Sequence, residues 1–297
     1  MATRLQPTGI AAERVRIRRA RAEDAQECGR ICYEAFKQIN CKHGFPPDFP
    51  NEDVAKGVIS QLFAHPGFYC VVAETNGKLI GSNCLDERTR IAGVGPITVD
   101  PEAQNKNVGT ALMLAVMKRA EEERFPGIRL LQAAFHNRSL SLYTKLGFDA
   151  REPISVMQGP PILKEIEGYR VRRMAAADLE KCNMVCKEVH GHDRGGELVD
   201  AIKDGTGVVV ERSRRITGYA TGLGFFLHAV GETNEDLQAL IASAKEFLGP
   251  GILVPTRNSE LFRWCLQNGL RVVEPMTLMT KGLYNEPKGA YLASITF

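Results

Sequence analysis

Two stretches hold residues whose types and spacing can do chemistry. In ITVDPEAQNKNVGTAL, Ile97 to Leu112, an extended apolar run meets a helix through a polar turn. Ile97 and Val99 alternate with Thr98 as in a strand, Asp100 and Pro101 end it, and Val108, Ala111, Leu112, Ala115 and Val116 recur at helical spacing. The first amides of such a helix, from about Asn107 to Thr110, have no partners within it. With the positive end of the helix dipole they form a site for a phosphate. The second stretch is HNRSLSLYTKLGF, His136 to Phe148, a short helix stopped by Gly147 and carrying a tyrosine, Tyr143.

The elements that must position these stretches follow from pattern. Residues 1–13 read as a loose tail. Val15 to Arg19 alternates as a first strand, and Ala25, Cys28, Ile31, Cys32, Ala35, Phe36 and Ile39 form a helical stripe after Asp24. The proline-rich loop Cys41 to Pro50 holds Phe45 and Phe49, and Asn51 is placed to cap a second helix with Val54, Val58, Leu62 and Phe63. Phe68 to Ala73 and Lys78 to Leu85 flank Asn76-Gly77, a strong hairpin signal. After the loop DERTRIAG come the phosphate-turn stretch, the strand-like IRLLQAAF, the tyrosine helix and a closing strand pair around Phe148 to Met157.

This order, and the two motifs about 30 residues apart with a strand between them, resemble the GNAT acetyltransferase superfamily. Gln104, Val108 and Gly109 match its acyl-CoA loop, and the tyrosine helix matches its NxxSxxYxxxGF ending. Asn105 and Asn107 stand in the turn where that family favours glycines; asparagine is the next residue most tolerant of positive φ. The resemblance implies an α/β fold with an α+β mixed sheet and acetyl-CoA as cosubstrate. It implies that Ile97, Thr98 and Val99 line pantetheine, the Val99 amide serving as oxyanion donor. Gln104, Asn105, Lys106, Asn107, Val108, Gly109 and Thr110 would hold the diphosphate, and Asn137 the pantetheine arm. Tyr143 would be the general acid, since a phenol of pKa about 10 can return a proton to a thiolate. Asp86 and His136 are the candidate bases, with Glu34 near the acceptor side; water chains can serve instead. Phe45 and Phe49 would border the acceptor.

Beyond the linker, residues 159–168, the sequence begins again. Arg16, Arg18, Arg19, Ala22, Asp24, Cys28, Cys32 and Glu34 recur 154 positions on as Arg170, Arg172, Arg173, Ala176, Asp178, Cys182, Cys186 and Glu188. Near the end Gly147, Glu152, Pro153 and Met157 recur as Gly269, Glu274, Pro275 and Met279. Two copies of one fold follow, 14–158 and 169–297. The second reads as degenerate: VGETNEDLQAL puts Glu232, Glu235 and Asp236 where a pyrophosphate would sit, and Tyr143 aligns with Cys265. Its HGHDR, with His190, His192, Asp193 and Arg194, reads as a polar loop at a cleft, and two histidines without a third ligand do not make a metal site.

Composition adds limits. The 297 residues suffice for two cores, and 44% hydrophobic with 25% charged residues describes an ordinary globular chain. A net charge of +3 argues for neither nucleic acid nor a membrane surface. No apolar run reaches membrane-spanning length, no signal-peptide core opens the chain, and the cytoplasm is the expected compartment. The eight cysteines show no zinc spacing and read as buried reduced thiols. The expected activity is N-acetyl transfer to a primary amine on a small molecule, with no metal, and a homodimer is compatible with it. The rivals are a non-catalytic acyl-CoA-binding regulatory module and an acetyltransferase of protein N-termini or lysines.

Overall fold

A computed structural model describes residues 15–104 and 106–296; the tail read at residues 1–13 and Asn105 lie outside them. Copy one contains β1 (Arg16–Arg19), α1 (Ala25–His43), α2 (Glu52–Ala64), β2 (Phe68–Thr75), β3 (Lys78–Asp86), β4 (Ala92–Val94), β5 (Thr98–Val99), α3 (Val108–Glu122), β6 (Gly127–Ala133), α4 (Asn137–Lys145) and β7 (Asp149–Gln158). Copy two repeats this with β8 (Tyr169–Arg173), α5 (Leu179–His190), α6 (Gly195–Asp204), β9 (Val208–Arg212), β10 (Arg215–Ala220), β11 (Ala229–Gly231), α7 (Asn234–Ser243), β12 (Ile252–Pro255), α8 (Ser259–Gln267) and β13 (Arg271–Gly282). A last strand, β14 (Ala290–Leu292), has no counterpart in copy one.

Local chemistry accounts for the boundaries. Asn51 Oδ1 accepts from the Val54 amide at 3.0 Å and caps α2. Asn76 and Gly77 both take positive φ, 49° and 77°, which lets β2 and β3 turn in two residues. Gly44 ends α1 at φ 76°. The repeat is also visible in ion pairs. Arg18 bridges Asp24 (2.7 Å) and Glu74 (2.8 Å), and Arg172 bridges Asp178 (2.6 Å) and Glu211 (2.8 Å), so each first strand is tied to the next strand and to the following helix by the same three residue types.

The sheet order is β1-β2-β3-β4-β6-β13-β7-β12. The expected closing strand pair at Phe148 to Met157 is therefore a correction: there is one strand, β7, and its neighbours β13 and β12 both come from copy two. In return β13 lies between β6 and β7. Copy one gives β7 to copy two, and copy two gives β13 to copy one. The exchange has two-fold character about the pair Ile154 and Met276: Val156 faces Glu274 as Leu278 faces Glu152. The Ala134 amide donates to Pro275 O (3.0 Å) as the Thr256 amide donates to Pro153 O (2.8 Å). Each proline, lacking a donor of its own, still serves as an acceptor.

Cysteine chemistry departs from expectation. Cys70 and Cys84 face each other across β2 and β3 and form a disulfide, and Cys41 is exposed; Cys28, Cys32, Cys182, Cys186 and Cys265 are buried thiols. The cause is register: the hairpin sets these two residues directly opposite, with Cα atoms 4.1 Å apart. Among the described residues no helix is long and apolar enough to cross a membrane.

Two predictions follow from the architecture. A chain ending at Gln158 leaves β6 without β13 and β7 without either neighbour, exposing long unpaired edges. Copy one alone should aggregate or melt without cooperativity, whereas the two halves, coexpressed with a break inside the linker, should copurify; a soluble, cooperatively melting copy one would show the exchange to be dispensable. The second concerns acid. Arg18 and Arg172 lower the carboxyls of Asp24 and Asp178 below their ordinary value. The stability they contribute is present above about pH 4, the unfolded value, and is lost as pH falls through the lower folded values. Asp24→Asn should cost about 2 kcal/mol at pH 7, and its stability should converge with the parent's as pH falls below the lowered folded value; a constant difference throughout the acid range would mean the pair is not responsible.

Candidate functional site

The strands of copy one part at one place. β4 runs parallel to β6 only at Ala92 with Ile128 and Gly93 with Arg129. From there the chain turns at Gly95-Pro96, and β5 stays with β3, Gly81 opposite Val99 and Ser82 opposite Thr98. Beyond Arg129, β6 pairs only with β13. A wedge thus opens between β5 and β6. The Asp100 amide donates to Ile80 O at 2.9 Å. In the antiparallel alternation this turns the neighbouring Val99 amide and carbonyl away from β3, toward the wedge.

The start of α3 lies beside that opening. Asn107 adopts φ 59°, the left-handed conformation expected of it, and its side chain does not cap the helix. The amides at the start of α3 are therefore left without a capping side chain. A Cβ on Gly109 would meet only Leu142 at 3.5 Å and Val99 at 3.9 Å, ordinary contacts, so internal crowding does not require glycine there. These features suit a bound phosphate chain: amides without a capping side chain, and a small residue beside them. Lys106 is exposed beside them. Gln104 reaches Val99 O at 3.4 Å and accepts a hydrogen bond from Arg138, a cation that the sequence reading passed over. Arg138 follows Asn137, which is exposed at the first turn of α4. The turn leading to α4 is pinned by buried Gln132, whose Nε2 donates to His136 O and Ser139 Oγ, both at 3.1 Å.

The candidate acid and bases sit in different surroundings. Tyr143 is packed in the core of copy one with Val108, Leu112 and Phe148, and burial pushes its phenol well above the usual value. Among the described residues no partner takes its hydroxyl hydrogen bond. His136 is half-buried at the start of α4, and burial with the nearby cations Arg138, His43 and Lys42 lowers it to about 4. It is neutral at pH 7. Asp86 is buried, and both its oxygens accept from Arg88, at 2.9 and 2.6 Å; Arg88 reaches on to Asp200 of α6 at 2.8 Å. Glu34 is half-buried on α1.

The expected acceptor border divides. Phe45 stacks on Phe135, with ring centroids 4.3 Å apart, just past the end of β6. Phe49 is instead a core residue, against Phe36 and against Phe226 of copy two. The polar loop expected at His190 to Arg194 is a correction, because His190, His192 and Arg194 are buried. Arg194 makes two hydrogen bonds to Glu197, at 2.7 and 2.9 Å, and Glu197 also meets His228 at 3.0 Å. A buried guanidinium needs such a partner, and that draws the segment inward.

Copy two has neither feature of the wedge. β14 pairs with β11 on one side and bridges to β12 on the other, where the Ala293 amide donates to Leu253 O at 3.0 Å. The start of α7 is taken as well: Asp236 Oδ2 accepts from the Thr233 amide at 2.9 Å and from its hydroxyl at 3.2 Å. Glu232 is ion-paired with Arg212 and Arg215. Cys265 stands in α8 where Tyr143 stands in α4, and is buried.

Comparison with known proteins bears on the fold and on the family match of copy one. Residues 34–148 match the model of the acetyltransferase (GNAT) family. Among solved structures, a putative acetyltransferase from Pyrococcus horikoshii is 16% identical with a TM-score of 0.73, over 98% of this chain and 97% of that one. A GCN5-related N-acetyltransferase from Sphaerobacter thermophilus is 16% identical with a TM-score of 0.61, over 95% and 98%. A tandem GNAT protein from the clavulanic acid biosynthesis pathway is 10% identical with a TM-score of 0.56, over 91% and 98%. At these identities the likeness speaks for the fold. A search of curated protein sequences gives no significant match. Residues 34–148 belong to the acetyltransferase (GNAT) family, and the chain as a whole has the fold of a tandem GNAT protein.

Proposed function

We propose that copy one transfers an acetyl group from acetyl-CoA to a primary amine on a small molecule, and that copy two has lost its own transfer site. The observation that carries this reading is the asymmetry of the wedges. In copy one the gap between β5 and β6 and the start of α3 are both open, whereas β14 and the Thr233–Asp236 cap fill the equivalent places in copy two.

In this reading the diphosphate lies on the amides from Asn107 to Thr110, with Lys106 and Arg138 beside it. The thioester lies in the wedge with its oxygen toward the Val99 amide. A fixed donor at that point stabilises the charge that develops on the oxygen as the amine adds. The ammonium gives up one proton, the nitrogen of the free amine bonds to the carbonyl carbon, the carbon–sulfur bond breaks as the thiolate takes a proton from Tyr143, and the second proton shed by the nitrogen returns to the Tyr143 phenolate. Burial keeps that phenol fully protonated at neutral pH, as a general acid requires. His136, held neutral, can accept the ammonium proton through water. Asp86, committed to Arg88, acts in this reading chiefly by anchoring copy one to α6.

Two experiments test it. Thr110→Asp would place a carboxylate at the third position of α3, where Asp236 stands in α7. The melting temperature should hold or rise, because the helix gains a cap and a favourable charge, while CoA binding by calorimetry should weaken at least about tenfold through charge repulsion. Unchanged CoA affinity would remove the phosphate from this helix. Tyr143→Phe should leave CoA affinity and folding near the parent's, while turnover with the best amine of a panel, read as thiol release, falls by about 10²-fold. Full turnover would reduce the tyrosine to a packing residue. If the parent binds CoA tightly but acetylates no amine in the panel, the acyl-CoA-binding module becomes the better reading.

A further inference from the structure

The two-fold relation between the copies pairs a neutralised carboxylate with one that lacks a cation. On the copy-two side, buried Glu152 of the crossed strand β7 is met by Arg257, just past the end of β12, through its Nε at 2.7 Å and a second guanidinium nitrogen. The same guanidinium reaches Glu286 at 2.7 Å. One arginine thus lies between two carboxylates.

The relation about Ile154 and Met276 carries Glu152 onto Glu274, and Thr256-Arg257 onto Ala134-Phe135. Glu274 is 3% exposed, yet among the described residues neither a hydrogen-bond donor nor a cation reaches its carboxyl. The charge that acts on it is a second acid, Asp48, from the loop between α1 and α2. Asn40 Nδ2 holds that loop by donating to Asp48 Oδ1 and to Pro46 O, both at 2.8 Å. Burial raises both carboxyls above the ordinary range, and the Asp48 charge raises Glu274 further. The other titratable groups around them are Cys32 on α1, near Asp48, and His43, Lys42 and His136 toward Phe135. The aromatic wall formed by Phe45 on Phe135, with the His43 ring 5.4 Å from Phe135, stands where copy two has its arginine. Such a wall favours a cation alongside it.

We propose that Asp48 and Glu274 together bind a cationic group of the acceptor, an ammonium or a guanidinium, in the place that Arg257 fills in copy two. This rests on the transfer reading above, and it makes copy two, through β13, the source of half of the acceptor's recognition. A buried acid beside a second, half-buried one, without a cation, lowers stability and is kept where binding needs it.

The test compares Glu274→Gln and Phe135→Arg with the parent, by melting at pH 8 and by thiol release with the best amine of the panel. Glu274→Gln should melt above the parent, because neutralising one acid relieves the other, and should raise the KM of the amine at least tenfold with the KM of acetyl-CoA unchanged. Phe135→Arg should supply the missing cation internally and lower kcat/KM for the amine at least tenfold while CoA binding stays. A Glu274→Gln protein that melts at or below the parent, or one that keeps the parent's KM for the amine, overturns the proposal. If the parent acetylates no amine, the transfer reading fails by itself, and the melting comparison still decides whether the pair is an unneutralised cation site. Should Phe135→Arg not fold, Asp48→Asn takes its place, with the same rise in melting temperature and in amine KM expected.

Discussion

The structure depends on one pairing, β7 against β13. Both are closing strands, and each is antiparallel to a strand of the opposite copy as well as to the other. A sheet edge made of apolar residues has to be covered, because its unpaired amides and carbonyls would otherwise face water or another chain. Here the edge of β6 is covered by copy two and the edge of β12 by copy one. The apolar residues follow suit: Ile154, Val156, Leu253, Met276 and Leu278 form one cluster drawn from both copies. The core at the centre of the molecule belongs to neither copy alone.

From that pairing the asymmetry acquires its meaning. Two wedges were available, and the chain closes one of them with β14 and caps the adjacent helix with Asp236. What copy two gains is a strand beside β11 and one bridge, Ala293 to Leu253, that brings its own five-stranded sheet up against β12. What copy one keeps is a sheet that parts after Arg129 and a helix whose first amides carry no cap. The local sequence makes the difference: the Asn107 side chain leaves α3 uncapped, whereas TNED caps α7 through a threonine and an aspartate three residues on.

Much of this was legible in the sequence. The hairpin at Asn76-Gly77, the cap at Asn51, the left-handed Asn107 and the constant offset of Arg18–Asp24 and Arg172–Asp178 are local rules that short stretches obey. Phosphate-turn and tyrosine-helix motifs were found because their spacing is local too. The exchange of β7 and β13 was not, since an apolar strand does not say which edge it will join. Nor was the role of β14, a three-residue strand whose composition resembles that of any short extended segment. Glu274 and Asp48 were missed because they are far apart in the chain and meet only once β13 has crossed over. The one available signal was that Glu152 and Glu274 are repeat partners, while Arg257 and Phe135 are not alike. The Cys70–Cys84 bond was missed although the hairpin register already set the two opposite one another.

The crossing of β13 has a consequence for how such a chain can change over generations. A duplicated copy that loses its chemistry is ordinarily free to drift, be trimmed or be replaced. Here substitutions in Met276–Gly282 of copy two alter the strand beside β6, and substitutions in Ile154–Met157 of copy one alter the strand beside β12. If copy two is silent, as proposed, it therefore stays under the selection that acts on copy one. Deleting copy two would strip β13 from β6, and the two copies can only evolve as one unit.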